Sequence, residues 1–176
     1  MKKIVLLIAV ILLITLTGCF EQSEDKLIIG LNPGVDTIEV GDTFIDNGAH
    51  ANYVFKTLYP TVESSDVNTD QVGVYSIIYE ISYLEFSKTI TRIVTVIDET
   101  PAVLTLNPGV DTVVIGHDWI DAGIQVEDNT NHDVSITVIG EVDINIAGEY
   151  LITYLVTDEN GNASSIIRYV TIIELN

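Results

Sequence analysis

The chain has 176 residues, with seven lysines and arginines against 26 aspartates and glutamates, and a formal net charge of −19. Such a chain repels nucleic acid and other polyanions, because it has no basic stripe to neutralise phosphates. Disorder is excluded too: 47% of the residues are hydrophobic, and the richness in Ile, Val, Thr and Tyr beyond residue 20 favours strands over helices.

The first element is a leader. Met1-Lys2-Lys3 is a short basic start, and Ile4 to Leu16 is an apolar run interrupted only by Thr15. As a helix that run spans about 20 Å, short of the ~30 Å hydrocarbon core of a bilayer. A basic flank, a short apolar stretch and small residues before a cut site predict a secretory signal peptide over residues 1–18. The ending Leu16-Thr17-Gly18-Cys19 resembles the lipobox of bacterial lipoproteins. That resemblance implies cleavage after Gly18 and a thioether-linked diacylglycerol on Cys19, the sole cysteine. Two acyl chains anchor stably where one anchors marginally. Residues 19–25 read as a solvated tether at the extracytoplasmic face of the cell membrane.

Two copies of one unit follow. Leu31-Asn32-Pro33-Gly34-Val35-Asp36-Thr37 recurs identically as Leu106 to Thr112, 75 residues on. The offset persists through Phe44-Ile45-Asp46-Asn47-Gly48 and Trp119-Ile120-Asp121-Ala122-Gly123, and through the Gly-x-Tyr runs at Gly73 and Gly148. At Arg92 and Arg168 it is 76, so one residue entered a turn. Repetition on this scale sets the units at 26–98 and 99–176, each near the size where a single core is marginal. The joint is Asp98-Glu99-Thr100-Pro101, stiffened by the ring of Pro101.

Within the second unit the strands expected are 103–106, 112–115, 124–127, 134–139, 150–157 and 165–173. Tyr150, Ile152, Tyr154 and Val156 share one face by period-2 spacing, as do Tyr75, Ile77, Tyr79 and Ile81. Asn160-Gly161 predicts a type I′ hairpin turn with positive φ at both centres. Short strands at about ten-residue spacing without helices predict an all-β chain of two tandem sandwiches.

The order Leu-Asn-Pro-Gly, hydrophobic-Asp-x-Gly, Gly-x-Tyr-x-Ile-x-Tyr, Thr-Asp-x-x-Gly-Asn and Arg-x-Val-Thr-Ile resembles the bacterial surface Ig-like domain family, itself similar to cadherin-like and hyaline-repeat modules. The second unit carries every element. The first departs at the hairpin, where Ser82-Tyr83-Leu84-Glu85-Phe86-Ser87 stands for Thr157-Asp158-Glu159-Asn160-Gly161-Asn162. The resemblance implies Ig-like sandwiches, a surface spacer or adhesion module, no catalytic residues, and tyrosine corners at Tyr75 and Tyr150.

Chemistry is sparse. His50, His117 and His132 lie outside any hydrolase or zinc-ligand pattern and read as loop residues. The acidity reads first as solubility and second as attraction of divalent cations. Asp128, Asp158, Asn160 and Asn162 are the candidate calcium ligands, since a sandwich brings the 127–129 loop and the Asp158 hairpin to one end. The first unit lacks that set. Tyr53, Phe55, Tyr59, Tyr83 and Phe86 cluster instead; they read first as core or edge packing and second as an exposed aromatic patch. Tyr59 and Phe86 are its candidate contacts to a cell-envelope or host glycan. Trp119 and Phe44 are expected to share a buried role. The partners expected are the membrane through the lipid and an unidentified surface protein or glycan, with no nucleic acid and no cofactor other than calcium. Oligomeric state is not legible.

Overall fold

The computed structural model describes residues 22–130 and 133–174. The expected leader, the expected lipid-attachment residue Cys19 and His132 lie outside the described residues. Among the described residues no helix is long and apolar enough to cross a membrane.

After one 3₁₀ turn at Glu24–Lys26, the first repeat is built from β1 (Leu27–Leu31), β2 (Thr37–Glu39), β3 (Ala49–Tyr53), β4 (Lys56–Leu58), β5 (Thr61–Ser65), β6 (Gly73–Tyr83) and β7 (Phe86–Ile97). The second contains β8 (Val103–Leu106), β9 (Thr112–Val114), β10 (Ile124–Glu127), β11 (Ser135–Ile139), β12 (Gly148–Thr157) and β13 (Ala163–Ile173). All six strands read from the sequence of the second repeat are present, within two residues at each end.

Each repeat sets a four-stranded sheet against a smaller one. The orders are β2-β7-β6-β5 with β1-β3-β4, and β11-β12-β13-β9 with β10-β8. The long hairpins β6–β7 and β12–β13 are antiparallel, whereas β2 and β9 run parallel to β7 and β13. Alternation along the long strands decides the core: Ile77, Tyr79, Ile152, Tyr154 and Val156 are buried, while Leu151 and Leu155 face out. Val94, Val96, Val170 and Ile172 complete the packed layer from the partner strands. Phe44 and Trp119 pack against equivalent cores, as their alignment predicts.

Two expectations are corrected. The Asn160-Gly161 turn has positive φ only at Gly161 (+91°), so it is not type I′. The Asp158 carboxylate accepts the amides of Asn160 (2.9 Å) and Asn162 (2.8 Å) and supplies the turn itself, the ordinary use of an Asx side chain. His50 sits on β3, exposed and hydrogen-bonded to Asn32, and is not a loop residue.

Candidate functional site

The identical heptads are explained by two buried arginines. Arg92 and Arg168 are each 1% exposed, which demands full pairing of the guanidinium. Arg168 Nη1 donates to both carboxylate oxygens of Asp111 at 2.9 Å, and Nη2 to the carbonyls of Asn107 (2.8 Å) and Gly123 (2.9 Å). Arg92 repeats the arrangement with Asp36, Asn32 and Gly48. The Nε atoms make no hydrogen bond but stand 3.5 Å from Asp46 and 3.6 Å from Asp121, carboxylates that accept the Tyr79 and Tyr154 hydroxyls. Burial and these acceptors push both phenols up, and although burial opposes it, the tyrosine and aspartate partners raise both guanidiniums. A Cβ on Gly109 would lie 3.1 Å from Arg168 Nη1 and 3.0 Å from Ala122 Cβ, so a side chain there would crowd the loop against the arginine. The sequence showed these residues as repeated but not as partners; an arginine on a strand face alternating with buried valines was the available signal. These charges are consumed in folding the loop.

Tyr75 and Tyr150 donate to the carbonyls of Gln71 and Ile146, each 2.8 Å away and four residues upstream. They are the expected tyrosine corners.

The aromatic cluster of the first repeat divides. Tyr53 is buried and its ring lies 5.2 Å from Tyr83 and 6.3 Å from Phe86, with Leu27, Ala51 and Leu58 beneath. Lys56 Nζ sits 4.5 Å over the Tyr83 ring. Phe86 is therefore part of the packed end of the sandwich, not an open platform. Phe55 and Tyr59 are 100% and 82% exposed. Phe55 follows Val54, whose φ of +56° is rare for a β-branched residue and marks a strained hairpin tip.

The corresponding end of the second repeat is polar. Asp98, Asp128 and Asp158 each offer a carboxylate oxygen, and the three lie within 4.8 Å of one another. The expected candidates Asp128 and Asp158 do meet; Asp98, from the joint, was missed because its approach depends on how the joint packs. Asn160 and Asn162 hold the carboxylates through their amide nitrogens, to Asp98 at 2.7 Å and Asp158 at 2.8 Å. Asn162 also donates to the Asp98 carbonyl. Across the joint, Glu39 accepts the Glu99 amide and the Thr100 hydroxyl, both at 2.8 Å, and the Asn129 amide at 3.4 Å. Burial pushes Glu39 up, but those hydrogen bonds hold it below its ordinary value.

A shallow apolar groove recurs in both repeats. Val35 and Ile45 are 71% and 72% exposed, and Val110 and Ile120 at the equivalent places are 72% and 81%. Trp119 and the exposed His117 line the second copy. The indole N–H of Trp119 is buried without a partner.

A search of curated proteins finds no match. Among solved structures the chain is similar to the crystal structure of a lipoprotein from Bacteroides thetaiotaomicron, at 16% identity and a TM-score of 0.37, covering 80% of this chain and 98% of that one. The model of the family described as bacterial surface protein, Ig-like domain, matches residues 34–96 and 105–172. These two segments contain the buried arginines with their aspartate partners, the tyrosine corners and nearly all of the paired long strands, and the chain belongs to the bacterial surface Ig-like domain family.

Proposed function

We propose that the protein is a lipid-anchored surface module, held to the membrane through Cys19, whose two Ig-like units form a non-catalytic spacer that also presents an adhesion surface. The observation that carries this reading is the recurrence of the same exposed apolar pair, Val35 with Ile45 and Val110 with Ile120. Contiguous exposed apolar surface on a soluble protein often marks a contact site, and both copies of the repeat keep it. The bonded joint supports the spacer role, since Glu39 of the first repeat holds Glu99, Thr100 and Asn129.

The anchor is tested by labelling growing cells with a clickable palmitate analogue. Cys19→Ser should abolish labelling and release the chain from the membrane fraction; label retained on the Cys19→Ser chain would overturn the anchor. The contact surface is tested with Ile45→Asp and Ile120→Asp in a cell-adhesion or pulldown assay. Undiminished capture by the double variant would overturn the groove as the contact.

A second reading, glycan binding, is favoured by the exposure of Tyr59, with Phe55 four residues before it. Phe86 does not serve it, being packed against Tyr53. A glycan array with Tyr59→Ala discriminates: saturable sugar binding lost in that variant supports the second reading.

A further inference from the structure

The ends of the two repeats nearest their incoming chain are built from equivalent positions with opposite chemistry. In the first, Ser23, Tyr53 and Tyr83 come together: the Ser23 amide donates to the Tyr53 hydroxyl, and the two rings are in contact. Seventy-five residues on, the same three positions are Asp98, Asp128 and Asp158. An end closed by aromatic packing has become an end with three carboxylates, two of them nearly buried at 7% and 8% exposure. Like charges this close disfavour one another unless a cation is shared between them.

No described side chain supplies that cation. Both arginines are committed to their loops, Lys56 lies over Tyr83, and Lys26 and Lys88 act on Asp25 at the far end of the first repeat. The carboxylates are arranged for something else. Asp98 and Asp158 are oriented by Asn160 and Asn162, and Asp128 Oδ1 accepts both the amide (2.9 Å) and the hydroxyl (2.6 Å) of Thr130. The remaining Asp128 oxygen, Oδ2, is buried and accepts no hydrogen bond. A buried carboxylate oxygen without a donor, beside two further carboxylates, has its lone pairs open to a cation. The donor set is all oxygen, which suits a hard divalent cation. Ca²⁺ bonds oxygen at about 2.3–2.6 Å and takes several carboxylates, whereas Mg²⁺ keeps most of its water and binds through one or two. The oxygens here lie within 4.8 Å of one another.

We infer that Asp98, Asp128 and Asp158 form a calcium site at the joint between the two repeats. Asp98 comes from the connecting segment and the other two from the second repeat, so the bound ion clamps the joint to the second sandwich. Carbonyls and water complete its shell. In the first repeat Tyr53 and Tyr83 stand at the equivalent positions, and the described residues there form no such carboxylate cluster. The inference is independent of the fate of Cys19.

The test uses the full chain in detergent, freed of metal with chelator. Calorimetric titration with CaCl₂ should give one ion per chain, with the dissociation constant of about 10⁻⁴–10⁻³ M usual for extracellular modules. At roughly tenfold excess over that constant the second repeat should melt about 6–11 °C higher. Asp98→Asn and Asp128→Asn should each lose most of that shift, and Tyr83→Phe should keep it. Two variants on different elements guard against one that misfolds. Three results overturn the inference: no binding heat up to 10 mM CaCl₂ (about ten times the upper constant), an equal shift from NaCl of matched ionic strength, or an undiminished shift in both variants.

Discussion

Tyr53 and Tyr83 meet ring to ring in the first repeat, 5.2 Å between centroids, at positions that Asp128 and Asp158 occupy one repeat later. One backbone design thus closes the same end by apolar burial in one copy and by polar convergence in the other. The fold tolerates both because the strands that carry these residues are fixed elsewhere, by the arginine loops and the valine layer.

The aromatic end should respond to truncation according to burial, not to aromaticity. Phe86→Ala is expected to cost about 2–3 kcal/mol, below the ~3–5 kcal/mol of a fully buried ring because Phe86 is partly exposed. Tyr59→Ala should stay within about 0.5 kcal/mol of the parent. Urea melts of both variants check this, and equal losses would contradict the packing described.

Arg168→Met should destabilise the second repeat by about 3 kcal/mol or more, because Asp111 and the carbonyls of Asn107 and Gly123 lose their donor together. Arg92→Met should do the same in the first. A loss under about 1 kcal/mol by chemical denaturation would show that the loops close without the arginine.

The two classes of tyrosine should separate. Tyr150→Phe removes one hydrogen bond to a backbone carbonyl, an effect of about 0.5–1.5 kcal/mol. Tyr154→Phe removes the donor to Asp121, leaving a carboxylate beside the buried guanidinium with one partner fewer, and should cost more. Melting temperatures in the reverse order would refute the assignment.

Gly109→Ala brings a methyl to 3.1 Å from Arg168 Nη1 and 3.0 Å from Ala122 Cβ. Crowding of this kind typically costs about 1–3 kcal/mol. An unchanged midpoint would mean that the loop yields freely.

Acid should act through Asp158. Burial pushes this carboxyl up, but hydrogen bonds from the Asn162 side chain and the amides of Asn162, Asn160 and Gly161 outweigh it and hold the group below its ordinary 3.8. A depressed folded value stabilises the native state above the unfolded value and is lost as pH falls through the folded one. Acidification also relieves the self-repulsion of a chain this acidic, so the informative quantity is a difference. In chelator, the gap in melting temperature between the parent and Asp158→Asn should be full above about pH 5 and close below 3.8. A gap that does not change with pH would contradict it.

The strands and their inward faces were legible because period-2 alternation is a local property: Tyr150, Ile152, Tyr154 and Val156 declare their side of the sheet without reference to any other segment. The repeat was legible because identical heptads are visible in one dimension. The turn at Asn160-Gly161 was misread since its φ values follow from the Asp158 carboxylate, whose acceptor role depends on the hairpin already being formed.

What the amino-acid order determined by itself is the all-β duplication, the core positions and the family, all consequences of near-neighbour patterning. What only the tertiary structure decided is who faces whom. Arg168 meets Asp111 across 57 residues and Asn160 meets Asp98 across 62. Phe86 turns inward while Phe55 and Tyr59 turn out. These pairings arise from the packing of sheets and the closing of loops, which bring together residues whose separation along the chain carries no periodic signal.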